Sequence, residues 1–358
     1  MTYQKLFEAW DWHGFHFRSR ICVPPLVIYT WSGENGCVTE PFLSHYRALV
    51  HGGAGLVIQQ ATSVSREGRL TLDQLGIWED GQIDGLRQLV AIFHEAKMPA
   101  IVQLSHAGVL AAREEDRVCP SDCMVQVGGH TRCARALTVT EIQKIERDFI
   151  DAARRAYQAG YDGVELHACH GYLLSEFLNA HLNHRSDAYN AADRLILQHI
   201  IDGIRAVTPP DFILGIRLGV FEPSLQDGLA SAQWCEAQGL DFIDAYYGCD
   251  WGAQLEKPVD FPHTPAIYGA QRVKELVSIP VFACNEIRTG EQAEDILQRT
   301  GVDMIVPGRA HLVNPSWGND IWAGRDGGTC FACPVCHWKF APETCPGRLQ
   351  LKRSRRHI

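Results

Sequence analysis

Gly160-Tyr161-Asp162-Gly163-Val164-Glu165-Leu166-His167-Ala168-Cys169-His170-Gly171-Tyr172 carries the end of a helix, a buried strand and a cluster of polar side chains in one short stretch. Just upstream, Ile142, Ile145, Phe149, Ala152, Ala153 and Ala156 recur at three- and four-residue spacing, the stripe of an amphipathic helix. Thr140-Glu141-Ile142-Gln143 can open that helix as a capping box, and Gly160 can end it in the left-handed conformation. Gly163-Val164-Glu165-Leu166 is nearly apolar throughout, which suits a parallel strand buried on both faces. Helix, glycine and strand make one unit of an α/β repeat.

The same kind of apolar run recurs on either side, at residues 21–23, 55–58, 100–104, 213–216, 242–245, 280–283 and 304–306. Helical stripes lie between them, among them Ile83, Leu86, Leu89, Val90 and Phe93. Eight strand-and-helix units close into a (β/α)8 TIM barrel, whose active sites sit at the C-terminal ends of the strands. Polar and unusual residues gather at those ends: Pro24-Pro25, Gln59-Gln60, His106-Ala107-Gly108, His167 to Tyr172, Arg217, Asn285 and Gly308-Arg309. Residues 109–136 show no clear periodicity and are too many for an ordinary connection, so they form a lid over the mouth or a subdomain without catalytic role. The expected division is a barrel over residues 1–322 and a Cys-rich extension with a basic tail over residues 323–358.

Composition bounds the function. With 358 residues, 46% apolar and 21% charged, the chain is an ordinary globular protein able to bury a large core. A net charge of −9 argues against general affinity for nucleic acid or anionic membrane, and the basic Lys352 to His357 reads as a solvated tail. The N-terminus lacks the apolar stretch of a signal peptide, and no run reaches about eighteen apolar residues, so a cytoplasmic location is expected. In a reducing compartment the 13 cysteines are more suited to metal or redox chemistry than to disulfides.

Two histidines three residues apart at a strand end, followed by Gly171 and Tyr172, offer two hydrogen-bond donors and a phenol at one place. They can hold a substrate carbonyl, share a metal with a third ligand, or simply be satisfied buried histidines. Arg309 after Gly308 stands where such barrels place a phosphate, although a surface ion pair explains it as well. Arg217, projecting from a strand end, needs an anionic partner: a flavin that becomes anionic on reduction, or a structural carboxylate such as Glu222.

The stretch from Gly163 to Leu178, with Asn183 to Tyr189, closely resembles the old yellow enzyme family of NAD(P)H-dependent FMN oxidoreductases. Arg20 to Leu26 with Tyr29, Gln103 to Gly108, Arg217 and Gly308-Arg309 match it in the same order, over roughly residues 1 to 320. The resemblance implies FMN at the barrel mouth. Pro24, Pro25, Leu26 and Val27 would run beside its ring, Ala61 and Gln103 touch its edges, and Arg217 face its N1/O2 side. Arg309, with backbone around Asn285 and Gly308, would take the phosphate. His167 and His170 are similar to the pair that holds the carbonyl or nitro oxygen of an activated alkene, Tyr29 would border that substrate, and Tyr172 is similar to the proton donor.

This implies an ene-reductase in which NAD(P)H reduces FMN and FMN passes hydride to the alkene. Amine dehydrogenation or demethylation on the same barrel, and a non-catalytic electron carrier in a larger assembly, are the alternatives. Expected partners are the small-molecule alkene and NAD(P)H or an external redox protein; a homo-oligomer is compatible with this. The chain departs from the family at Val109-Leu110, where many members have Arg-Lys, and at Asn285, where Gly is usual. Cys169, between the histidines, reads as a small buried thiol.

Cys330, Cys333, Cys336 and Cys345 lie in a short Gly- and Pro-flanked stretch whose thiolates could surround zinc or an iron–sulfur cluster. Long relatives similar to dienoyl-CoA reductase carry a [4Fe-4S] cluster just after the barrel, with wider spacing than is present here. Reduced structural thiols are the plain alternative. Because the sequence stops at Ile358, an FAD and NAD(P)H domain like theirs is not expected, and a cluster would need an external partner.

Overall fold

The computed structural model describes residues 3–249 and 251–355. Eight parallel strands form one sheet: Cys22–Val23, Leu56–Ser63, Ile101–Ser105, Gly163–Ala168, Ile213–Gly219, Phe242–Tyr246, Val281–Cys284 and Met304–Val306. A parallel bridge between Ile21 and Ile305 brings the last strand back to the first and closes the barrel. All eight expected strands are present, six of them running on past the expected C-terminal end while the first and last stop where expected. Among the described residues no helix is long and apolar enough to cross a membrane.

Alternation along these strands builds two cores. Leu56, Ile58, Ile101, Ile213, Phe242, Phe282 and Met304 point inward and fill the lower barrel, while their neighbours Val57, Val102, Leu214, Ile243, Val281 and Ile305 point outward beneath the helices. Gly215 leaves room for Phe242, whose ring would lie 2.1 Å from any Cβ there. Further along each strand the inward positions turn polar: Gln103, Glu165 and Asp244, then His167, Arg217 and Tyr246. Apolar layers below thus support a polar mouth above.

An antiparallel hairpin, Trp10–Trp12 with Phe15–Phe17, closes the bottom, its turn made by His13 and Gly14 at φ +49° and +77°. Trp12 meets Phe242 edge-on at 5.9 Å. The sequence reading did not anticipate this plug.

The helix Val139–Ala159 ends at Gly160 with φ +98°, as expected, but begins two residues earlier than its expected box. Thr138, not Thr140, is the cap: its side chain accepts from the Glu141 backbone N–H and Glu141 accepts from the Thr138 N–H at 2.9 Å. Glu141 also holds Arg135 at 2.7 Å, which favours the Glu-containing frame over one ending in Gln143. Replacing Thr138 by Ala should lower unfolding free energy by about 1 kcal/mol in a urea titration; an unchanged midpoint would contradict the cap.

Residues 109–136 are more regular than expected. Cys123–Val127 and His130–Ala136 form a hairpin across Gly128-Gly129, both at positive φ, and Val118–Cys119 joins its far edge. The hairpin packs through Val125 and Ala134 against Leu182 and Trp251, beside the mouth. The C-terminal extension folds back on the barrel: buried Trp338 lies against Trp31 and His45, and Lys339 stands over Tyr29. The basic stretch is not a free tail as far as Arg355, because Pro346–Ser354 is helical with Leu351 buried and Arg355 pairs with Asp320. Arg356 and His357 lie outside the described residues.

Candidate active site

The fourth strand ends by turning sharply into the helix Leu173–Leu178, and the turn uses His170 and Gly171 at φ +64° and +67°. A Cβ on Gly171 would meet Trp251 at 2.5 Å, so only glycine lets the chain pass. This turn places three side chains together. His167 Nε2 and His170 Nδ1 are 2.9 Å apart, and the Tyr172 ring lies 4.7 Å from that of His167. Tyr246, from the sixth strand, packs on His170 at 4.5 Å.

Burial fixes the protonation of these groups. Loss of water, then the neighbouring Arg217, pushes His170 down to about 3. Burial, His170 and Arg217 hold His167 far below its ordinary value. Burial raises the Tyr172 phenol further, so it stays protonated across the working range. The cluster is two neutral imidazoles and a neutral phenol.

The Cys169 sulfur sits 2.9 Å from His170 Nδ1, and the ligand atoms of His167, Cys169 and His170 all lie within 4.8 Å. Tetrahedral zinc with bonds of 2.0–2.3 Å keeps its donors about 3.3–3.8 Å apart. Contacts of 2.9 Å are instead those of groups sharing protons. Burial raises the Cys169 thiol, in keeping with its reading as an inert small residue.

These residues face a cavity of about 740 Å³. Its wall brings together Pro24, Pro25, Leu26, Val27, Tyr29, His167, His170, Tyr172, Arg217, Asn285, Gly308 and Arg309 from distant parts of the chain. Asn285 takes φ +120°, a positive value that suits the Gly usual at this position. Arg309 stands beside Glu286 at 3.5 Å, and Arg288 contacts the same carboxylate, leaving this corner net positive. No residue of the 109–136 hairpin is on the wall, whereas Gly328, Thr329 and Cys330 of the extension are.

Two expected contacts lie off that wall. Ala61 is buried in the second strand with its carbonyl accepting from Gln74, and the Gln103 amide donates to Glu165 at 2.7 Å. Arg217 has a structural carboxylate beside it, one of the two kinds of anionic partner expected, but a different residue from the one suggested. Its carboxylate partner is Asp244 at 3.1 Å, not Glu222, which instead accepts from Ser175 and Asn179. The reason is register: Asp244 stands directly across from Arg217 on the neighbouring strand. Sequence reasoning also missed Tyr246, Tyr247 and Cys284 on the wall. The signal was available for all three: the two tyrosines follow the sixth apolar run and Cys284 the seventh, as the other candidate site residues follow theirs.

The four late cysteines are all partly buried. Among the described residues no three of their sulfurs lie within 4.8 Å of one another, whereas zinc held by thiolates 2.3 Å away needs sulfurs about 3.8 Å apart. As placed here they do not form a closed tetrahedral set.

A family model described as NADH:flavin oxidoreductase / NADH oxidase matches residues 5–327. Among solved structures, the chain is similar to 2-naphthoyl-CoA reductase in complex with 2-naphthoyl-CoA, at 22% identity and a TM-score of 0.84, covering 97% of this chain and 56% of that one. It is similar to the old yellow enzyme homologue from Zymomonas mobilis at 26% identity and 0.75, covering 90% and 93%. The 6-hydroxypseudooxynicotine amine oxidase from Pseudomonas geniculata N1 shares the fold at 23% identity and 0.74, covering 90% and 50%. The chain therefore spans about half the length of the first and third of these.

Proposed function

Because the chain belongs to the NADH:flavin oxidoreductase / NADH oxidase family of old yellow enzymes, we propose that it is an FMN-dependent ene-reductase using NAD(P)H. The observation that carries this reading is the convergence of His167 and His170 beside Tyr172 on one cavity. The residues present fit FMN. On the cavity wall, His167 Nδ1 and Arg217 Nε are buried without hydrogen-bond partners among the described residues, a cost a polar ring system would relieve. The Pro24 to Val27 segment supplies an apolar wall, and Arg309 a cation at one end.

Bound FMN would supply the hydride chemistry, linking NAD(P)H to the β-carbon of an activated alkene. The chain's own residues prepare the acceptor. His167 Nε2 and His170 Nδ1 share a hydrogen bond at 2.9 Å; once a carbonyl or nitro oxygen parts them, each can donate to that oxygen and lower the cost of negative charge developing there. Tyr172 holds a proton on its phenol oxygen for the α-carbon. Tyr29, on the same wall with Lys339 over its ring, would border the substrate.

The test is the visible spectrum of the purified protein followed by turnover. FMN should be bound, and NADH or NADPH oxidation should depend on an added enone, maleimide or nitroalkene. A protein that cannot be loaded with FMN overturns the reading. Amine-driven bleaching without NAD(P)H would favour the dehydrogenase alternative, and reduction only by a partner protein the electron carrier. The extension remains the proposed place for an iron–sulfur cluster, whose several irons separate the thiolates more than one ion does; iron and acid-labile sulfide near background would remove it.

Arg309→Ala should weaken FMN binding roughly 10- to 100-fold, as loss of a charge-assisted hydrogen bond worth about 1.5–3 kcal/mol implies. Fluorescence quenching of FMN titrated with the apoprotein measures it, and an unchanged affinity would remove Arg309 from the phosphate site.

A further inference from the structure

The cation deepest in the cavity does not act alone. Arg217 and Asp244 are paired positions of the fifth and sixth strands, and paired inward side chains of neighbouring strands stand side by side. Arg217 Nη1 therefore meets Asp244 Oδ2 at 3.1 Å, with both side chains almost fully buried. Arg217 Nη2 reaches Cys284 Sγ at 3.1 Å, and the Tyr246 ring lies 5.4 Å away.

The other ionisable groups around the pair are neutral. Glu165 is kept protonated by burial and by the charge of Asp244. His167 and His170 are neutral imidazoles, and burial raises the thiols of Cys22, Cys169 and Cys284. Asp244 is pushed up by burial but restrained by Arg217 to about 6, so it is ionised at neutral pH. The charged set is one guanidinium and one carboxylate, with no net charge.

We propose that Asp244 is a redox-tuning residue acting through Arg217: by neutralising the guanidinium it withholds positive charge from the bound flavin and makes that flavin a stronger reductant. This rests on the FMN reading above, in which Arg217 faces the N1/O2 edge. Reduction of FMN adds two electrons and one proton, delivered as hydride by NAD(P)H, and leaves one extra negative charge on the ring. A lone guanidinium stabilises that charge by a Coulomb term falling as 1/r. An adjacent carboxylate cancels most of it, because the field of a close pair falls faster with distance.

The test is the midpoint potential of FMN-loaded protein at pH 7, by slow enzymatic reduction with xanthine and xanthine oxidase against a reference dye. Asp244→Asn leaves the guanidinium unopposed, and the reduction equilibrium constant should rise at least about tenfold, or about 30 mV for a two-electron couple. Arg217→Met/Asp244→Asn removes both charges together and should stay within about threefold of the parent. A single variant with unchanged potential overturns the proposal. So does a double variant at least about tenfold lower, since Arg217 would then act as a full charge despite Asp244. If Asp244→Asn fails to fold, the double variant decides alone. Failure of the parent protein to bind FMN would overturn the functional reading itself, a different outcome from a flavin that binds but does not shift.

Discussion

Tyr172→Phe should slow alkene reduction about 100- to 10,000-fold while leaving flavin reduction by NAD(P)H at its parental rate. The reasoning separates the two half-reactions. Passing hydride to the flavin needs no proton from the protein at the substrate α-carbon, whereas completing the alkene requires one. Tyr172 lies beside His167 on the cavity wall, and burial keeps its phenol protonated. The same burial makes it a weaker acid, so its value lies in position, as effective concentration, rather than in acidity. Phenylalanine preserves the ring packing and removes only the hydroxyl. Stopped-flow bleaching by NAD(P)H, followed by reoxidation with an enone, reads each half separately. Equal reoxidation rates in parent and variant would remove Tyr172 as the acid.

The barrel was legible because its strands are short runs apolar on both faces, and residues 163–166 or 304–306 can be little else. Elements outside the repeat were harder to see. The bottom hairpin has strands of three residues, Trp10–Trp12 and Phe15–Phe17, too short to show a period. The hairpin after the third strand alternates weakly, with Met124 and Cys133 exposed. Its Gly128-Gly129 turn was nevertheless a readable signal for a two-residue connection.

Candidate site residues were legible where each stands just past its own apolar run, as His167, His170, Arg217 and Arg309 do. The Arg217–Asp244 pair was not, because it depends on register between strands, which no local pattern states. A lone carboxylate in Phe242-Ile243-Asp244-Ala245 was the available hint. A charge buried inside an otherwise apolar strand needs a partner, and the nearest candidate lies on the strand beside it.

His167→Ala and His170→Ala should each lower alkene turnover about 100- to 1,000-fold, the usual consequence of removing one donor to a developing oxyanion. With Nε2 of one and Nδ1 of the other only 2.9 Å apart, both can reach a single oxygen once it parts them. The two hold that oxygen as a unit, so losing one misplaces it for the other and already forfeits part of the second contribution; the double variant should therefore fall less than the product of the two singles. The pH dependence follows from burial. His170 sits at about 3 and His167 far below its ordinary value, so both gain protons only in strong acid. Between pH 5 and 8 the pair keeps one protonation state and contributes no inflection near 6.5 to the alkene half-reaction. A rate that rises through 6.5 as pH falls, and loses that rise in His170→Ala, would mean that an imidazolium is the active donor. The hydrogen bonds would then come from a charged pair, and the neutral reading of this cluster would be wrong.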